Sequence, residues 1–171
     1  MSMKTLYILR HAKSSWDDAS LPDFDRPLNG RGLNAAPFIG EIIAREGLFP
    51  DLIISSPAKR AMQTAALVKE SSGSNAPIQY EERIYEASPQ TLKAVISQVD
   101  ESIGSVLLVG HNPGMEGLIS HLTGNLEPMP TAALAAISMD IAAWNKIDAN
   151  CGKLKFVIRP NEEMKALGDP D

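Results

Sequence analysis

Two arginines and two histidines have the types and positions of a site for phosphoryl chemistry. Each comes within a few residues of the end of a short apolar run, and they are Arg10, His11, Arg60 and His111. A guanidinium group presents a fork of N–H donors that matches phosphate oxygens. If the fold brings the four side chains together, they predict a pocket for a phosphoryl group.

The apolar runs that precede these side chains are predicted to be strands of one sheet. They are residues 3–9, 51–55 and 105–109, and a fourth short strand is predicted at 78–80. Runs of this length and composition are typical of strands that are buried on both faces, as in parallel sheets. Ligands of open α/β sheets bind at the carboxyl edge, where the residues after the strands meet. We therefore expect the four side chains to lie at that edge.

Helices are predicted between the strands, each with a recognisable start. Asn29 is expected to cap a helix that runs to about Arg45 and carries Leu33 on its apolar face. Pro37 lies inside this helix and is expected to kink it or restart it. Three further starts combine a capping residue with proline at the first helical position. They are Ser56-Pro57, Ser88-Pro89 and Asn112-Pro113.

The last part of the chain is predicted to form two strands. Apolar residues alternate over 133–141, which is typical of a half-buried strand, and again over 152–158 after a turn at 150–152. The alternation of strands and helices predicts an α/β fold. We expect a three-layer α/β/α sandwich, with a mostly parallel central sheet and a C-terminal hairpin at one edge. A single domain is expected over residues 1–171, and the sequence leaves the strand order open.

Composition excludes several classes of function. The 171 residues carry a net charge of −5 with a pI near 5.2, which argues against a nucleic-acid partner. One cysteine, Cys151, excludes an internal disulfide, and three histidines without ligand spacing argue against a metal site. The N-terminus lacks the apolar core of a signal peptide, and no run approaches the ~20 residues of a membrane span. We expect a cytoplasmic protein without a membrane partner.

Three ordered motifs resemble those of a known family. They are Arg10-His11-Ala12, Ser55-Ser56-Pro57-Ala58-Lys59-Arg60-Ala61-Met62-Gln63-Thr64-Ala65 and Gly110-His111-Asn112-Pro113-Gly114. This set resembles the histidine phosphatase superfamily, also called phosphoglycerate mutase-like, over about residues 4–124. The segment Pro27-Leu28-Asn29-x-x-Gly32 is similar to a further family element. The short chain and its opening at residues 10–16 resemble the SixA-type phosphohistidine phosphatase branch, although Ala12 stands where most superfamily members have glycine.

The resemblance implies a role for each of the four side chains. His11 would attack phosphorus and form a covalent phosphohistidine, while one ring nitrogen donates to a fixed acceptor. Arg10, Arg60 and His111 would hold the phosphoryl oxygens as charge develops. The resemblance implies an enzyme without a cofactor.

Further site residues are less sharply defined. Glu86 is the first candidate for the proton donor and Glu82 the second, and water remains an alternative because imidazole is an easy leaving group. Ser14 and Asn112 are candidates for substrate binding. Asp17 is left out of the site, because a carboxylate there would repel phosphate.

The substrate remains open between several classes. Only 24 residues separate Glu86 from His111, and one helix and one strand use most of them, which leaves little chain for a lid. An open pocket favours phosphohistidine on a protein, such as a phosphotransfer or carrier domain. The alternatives are a phosphatase for small phosphate esters and a non-catalytic module that binds phosphorylated partners. A mutase is least favoured, and the oligomeric state is not predicted.

Overall fold

A six-stranded mixed sheet forms the centre of the protein. In the computed structural model, which describes residues 3–160, the strand order is β3-β2-β4-β1-β5-β6. The strands are β1 Lys4–Arg10, β2 Leu52–Ser55, β3 Ile78–Tyr80, β4 Ser105–Gly110, β5 Leu134–Met139 and β6 Gly152–Ile158. The first four run parallel, while β5 and β6 form the antiparallel hairpin at the edge.

Within residues 3–160, four α-helices cover the two faces of this sheet. They are α1 Gly30–Glu46, α2 Lys59–Ser72, α3 Pro89–Ser97 and α4 Gly114–Thr123. On one face, Ile39 and Ile43 of α1 pack with Leu9 of β1. On the other face, Leu92 of α3 and Ile119 of α4 belong to the second apolar core. The predicted three-layer α/β/α sandwich and its edge hairpin are therefore confirmed.

The register of the central strands positions the site. Arg10 at the end of β1 pairs with Gly110 at the end of β4, and Ser55 at the end of β2 pairs with Val109. Three strands that are distant in sequence thus end side by side. The residues that follow them are His11, Ser56 and His111, so the register brings these three together at the carboxyl edge.

Two of the four predicted helix starts are confirmed. Asn29 caps α1 by accepting a hydrogen bond from the Gly32 N–H at 2.9 Å. Ser88 caps α3 by accepting from the Thr91 N–H at 3.2 Å. The helix α1 runs through Pro37 without interruption.

The other two helices begin later than predicted. Helix α2 begins at Lys59 rather than at Pro57, because the Ser56 N–H donates to Val109 O at 3.0 Å and thereby continues the pairing of β2 with β4. Helix α4 begins at Gly114, after Pro113. In both segments the proline precedes the first helical residue rather than occupying it.

Two burial expectations were wrong. Leu33 is 48% exposed, because it lies on the outer side of the first turn of α1. Strand β5 is buried on both faces rather than one, since Ala135 packs into one core and Leu134 into the other. Among residues 3–160, no helix is long and apolar enough to cross a membrane.

Candidate active site

His11 is a buried, neutral imidazole at the end of β1. Its backbone N–H donates to Gly110 O at 3.0 Å, and its Nδ1 lies 2.7 Å from Ala12 O. A carbonyl only accepts, so this contact places the ring proton on Nδ1 and leaves a lone pair on Nε2. Burial, with a further contribution from nearby His111 and Arg60, lowers the His11 pKa to about 3.

Arg60 faces the free nitrogen of His11 from the first turn of α2. Its Nε lies 3.4 Å from His11 Nε2, and the residue is only 7% exposed. Its two terminal nitrogens donate to Asp23, one to the backbone oxygen at 2.6 Å and one to Oδ2 at 2.9 Å. The guanidinium group of Arg60 therefore binds Asp23 through its two terminal nitrogens and faces His11 through Nε.

His111 completes the opposite wall of the pocket. Its ring centroid is 5.1 Å from that of His11 and 5.5 Å from that of Tyr85. Its Nε2 lies 2.8 Å from Ser56 Oγ, at the end of the neighbouring strand. Burial, together with the Arg60 charge, lowers the His111 pKa to about 4. Both histidines are therefore neutral near pH 7.

Arg10 is attached to the loop before β5. Its Nη1 donates to Met129 O at 3.1 Å, and burial lowers its pKa. Glu116 fixes the same loop, because its Oε2 accepts from the Met129 N–H at 2.7 Å. Asn112 Nδ2 donates to Met129 O at 2.9 Å and to Glu116 Oε2 at 3.0 Å. The side chain of Asn112 thus holds the loop, and both of its N–H donors have protein partners.

The side chain of Ser14 is engaged by an arginine of the same loop. Its Oγ accepts a hydrogen bond from Arg26 Nη2, while Arg26 Nε donates to Ser15 O at 3.0 Å. Arg26 is 7% exposed and also stacks on the Trp16 ring, with 3.3 Å between its central carbon and the ring centroid. The side chain of Ser14 therefore stabilises the conformation of this loop.

Two further α2 side chains hold the loop after His11. Both belong to the motif at residues 55–65, and no role was predicted for them. Thr64 Oγ1 accepts from the Ala12 N–H at 3.0 Å and donates to Arg60 O at 2.7 Å. Gln63 Oε1 accepts from the Leu28 N–H at 2.8 Å. Their spacing of three and four residues from Arg60, on one helical face, was the signal that could have identified them.

A cavity of about 700 Å³ adjoins the pair of Arg60 and His111. Glu86 lines it from the loop before α3, with a backbone φ of 55°. Glu82 is not among the described residues that line it. The remaining lining consists of Asp23, Tyr85, Ala87, Ser88, Pro89, Asn112, Pro113, Gly114 and Gly117.

Asp23 is the principal site residue that sequence reasoning missed. Its carboxylate accepts from Tyr85 Oη at 2.7 Å, from Arg60 at 2.9 Å and from Arg26 at 2.9 Å. The Tyr85 hydrogen bond, together with the arginines, lowers its pKa to about 2. Asp23 lies in an aperiodic loop, so the sequence carried no signal for it. Over residues 3–160, no cluster of three or more His, Cys, Asp and Glu residues could hold a metal ion.

Comparison with known proteins identifies the family. A sequence model of the histidine phosphatase superfamily (branch 1) matches residues 6–93. An uncharacterised protein of Mycobacterium tuberculosis is 31% identical over 157 residues, covering 85% of this chain and 96% of that protein. The chain belongs to the histidine phosphatase superfamily. The resemblance stated from the motifs is thus confirmed.

Solved structures narrow the relationship to the SixA-type branch of the histidine phosphatases. The candidate phosphohistidine phosphatase SixA from Agrobacterium tumefaciens is 30% identical, with a TM-score of 0.78, covering 92% of this chain and 98% of that one. Its counterpart from Nakamurella multipartitia is 25% identical, with a TM-score of 0.82, covering 94% and 98%. This histidine phosphatase is therefore a hydrolase of the SixA type.

Proposed function

We propose that this protein removes the phosphoryl group from phosphohistidine on a protein domain, through a covalent intermediate on His11. The observation that carries the proposal is the state of the His11 ring. Nδ1 donates to Ala12 O, and the lone pair of Nε2 faces the Arg60 Nε–H at 3.4 Å. A nucleophilic imidazole needs a neutral ring in this tautomer.

The first chemical step transfers the phosphoryl group to His11. Nε2 of His11 forms a bond to phosphorus as the bond from phosphorus to the leaving nitrogen breaks. Arg10, Arg60 and His111 hold the three remaining oxygens and offset their charge. In the second step, water attacks phosphorus, the bond to Nε2 breaks, and inorganic phosphate and a proton leave.

Two buried polar atoms support this assignment of oxygen contacts. Arg10 Nε and His111 Nδ1 make no hydrogen bond with any described residue. Buried polar atoms are nearly always paired, and an isolated one costs about 1–3 kcal/mol. Once a small side-chain movement opens these atoms to the pocket, a bound phosphoryl oxygen would supply the acceptor that each needs, with the ring proton of His111 on Nδ1.

The cavity beside the pocket supports phosphohistidine as the substrate. Its lining carries the carboxylates of Asp23 and Glu86, and Arg60 is the one lysine or arginine among the described residues that line it. A protonated imidazole leaving group would be attracted by the Glu86 carboxylate and would pack on Tyr85, whereas the Asp23 carboxylate is already paired with Arg60 and Arg26. A second phosphate group, as in a bisphosphorylated sugar, would be repelled. Glu86, which lines this cavity, would exchange a proton with the departing ring.

A comparison of substrates tests the proposal. We expect kcat/KM for a phosphohistidine-bearing carrier protein to exceed that for p-nitrophenyl phosphate or sugar phosphates by at least about 100-fold, which is about 2.7 kcal/mol of transition-state discrimination. Equal or greater turnover of the esters would instead assign a phosphatase for small molecules.

Trapping the intermediate tests the nucleophile. Rapid quenching with radiolabelled substrate should give an acid-labile label on the wild type that is absent from His11→Ala. His121→Ala is the matched control, because His121 lies on α4 with its Nε2 3.1 Å from Lys93 Nζ, and this variant should retain the label. A wild type that binds phosphorylated proteins without label or turnover would be a binding module.

A further inference from the structure

Asp23 accepts four hydrogen bonds from three side chains of the site, through its carboxylate and its backbone oxygen. Its Oδ2 accepts from Tyr85 and Arg60, its Oδ1 accepts from Arg26, and its backbone oxygen accepts a second bond from Arg60. The side chain of Asp23 itself is 47% exposed, whereas that of Arg60 is 8% exposed. An exposed loop residue, Asp23, thus accepts the hydrogen bonds that the two terminal nitrogens of the buried Arg60 donate.

These contacts divide the donors of Arg60 into two sets. A guanidinium group has five N–H donors in a rigid plane. Asp23 takes one from Nη1 and one from Nη2, at 2.6 and 2.9 Å, and of the three that remain the Nε–H is directed to His11 Nε2 at 3.4 Å. Since the guanidinium is planar, fixing its two terminal nitrogens also fixes the direction of the Nε–H.

The position of Asp23 is itself determined by its neighbours. Arg26 is buried and is held by Ser15 O and by the Trp16 ring. Tyr85 is held from the other side by edge contacts with Phe24 and His111, at centroid distances of 5.1 and 5.5 Å. The loop and the opposite wall of the pocket therefore meet at this carboxylate.

We propose that Asp23 is a positioning residue. It orients Arg60 so that the Arg60 Nε–H donates a hydrogen bond to the phosphoryl group during transfer to and from His11. This inference rests on the proposed covalent function. Asp23 touches no reacting atom and acts through Arg60. Arginine has many rotamers, so an unheld guanidinium would spend much of its time in other directions.

Kinetics and direct binding test this role in the full chain. We expect Asp23→Ala to lower kcat by at least about tenfold with little change in KM, because the lost orientation matters most in the transition state. Asp23→Asn should lose only about threefold, since its amide oxygen still accepts from Arg60. The affinity for orthovanadate, a transition-state analogue, should fall by a factor similar to the fall in kcat/KM.

Asp25→Ala is the matched control, because Asp25 is an exposed aspartate of the same turn whose side chain pairs with no described residue. It should keep wild-type kinetics. In an Arg60→Ala background, Asp23→Ala should change kcat/KM by less than about twofold, because two residues that act as one unit are not additive. A full tenfold loss in that background would overturn the proposal, as would unchanged kinetics of Asp23→Ala.

A third result would also overturn it. Tighter vanadate binding and a higher kcat/KM in Asp23→Ala would mean that the carboxylate competes with the phosphoryl group for Arg60. The measurement of vanadate affinity does not depend on turnover of a substrate. If the wild type forms no phosphohistidine on His11, the proposed function fails, while vanadate binding by the Asp23 variants still reports whether Asp23 orients Arg60.

Discussion

At the scale of single residues, the pocket keeps two histidines neutral between two arginines. Burial and the neighbouring cations both disfavour the imidazolium form, so the pKa is about 3 for His11 and about 4 for His111. The neutral form of each ring is thus the major one at any pH above about 5. An ordinary histidine, with a pKa near 6.5, would be half protonated within the physiological range.

The pH profile of the reaction should reflect these values. Once the titration of the substrate phosphoryl group is factored out, we expect kcat/KM to stay constant from pH 8 to pH 5 and to fall below about pH 4. The measurement is a steady-state pH profile with a phosphate-ester probe. An acidic limb near pH 6.5 would contradict the neutral environment of His11.

Protein stability should depend on pH in a related way. Because the folded-state pKa of His11 is lowered, the unfolded chain takes up a proton first as the pH falls through 6.5. The contribution of neutral His11 to stability is thus complete above pH 6.5 and is lost as the pH falls towards 3. The loss is about 2 kcal/mol between pH 7 and pH 5. Urea unfolding of His11→Gln should show a correspondingly smaller decrease between these pH values than the wild type.

Thr64 shows how a hydroxyl group supports the nucleophile from another element. Thr64→Val keeps the shape of the side chain but leaves the buried Ala12 N–H without its acceptor, which should cost about 1–3 kcal/mol in urea unfolding. We also expect a lower kcat, because Ala12 O accepts the hydrogen bond from the His11 Nδ1–H. Thr123→Val removes a comparable hydroxyl at the end of α4 and should destabilise the protein without lowering kcat. Equal kcat values for both variants would refute this role of Thr64.

At the scale of elements, local signals predicted a helix start correctly where the side chain of the cap bonds only to the helix that follows it. Asn29 and Ser88 do so, and both starts were predicted correctly. Ser56 and Asn112 have the same sequence signal and accept from the Ala58 and Glu116 N–H groups at 3.2 and 3.3 Å, but their side chains also bind long-range partners. Ser56 contacts His111, and Asn112 donates to Met129 O. The helices after them begin later because tertiary contacts at the site take precedence over the local signal.

Gly32 allows α1 to approach the loop after His11. A Cβ at this position would lie 2.2 Å from Lys13 O, whereas a Cβ on Gly30 would meet no atom within 4 Å. Gly32→Ala should therefore destabilise the protein by about 1–3 kcal/mol and lower activity, because Lys13 must move. Gly30→Ala should be neutral or stabilising by up to about 1 kcal/mol, since alanine favours the helix. Thermal unfolding of the pair measures the difference, and equal melting temperatures would exclude the close approach.

At the scale of the whole molecule, the layers were predictable and the strand order was not. Alternating strands and helices fix the number of layers, whereas the order β3-β2-β4-β1-β5-β6 depends on which faces pack together. The carboxyl-edge rule placed His11, Arg60 and His111 at one edge, where Arg60 Nε lies 3.4 Å from His11 Nε2 and the two imidazole centroids are 5.1 Å apart. The rule gave no information on Asp23, because the geometry of a long loop depends on contacts such as that of Arg26 with Ser15 O.

A site assembled from distant segments of the chain should couple anion binding to global stability. The groups that would hold phosphate come from β1, the first turn of α2 and the segment after β4, and unfolding separates them. Phosphate at 100 times its dissociation constant should therefore stabilise the fold by about 2.7 kcal/mol. For a chain of this size, the melting temperature should rise by roughly 5–10 °C. Arg10→Gln should reduce this rise, whereas Arg83→Gln, which alters an exposed ion pair with Glu81, should keep it. A melting temperature that does not respond to phosphate in the wild type would show that these groups do not form one anion site.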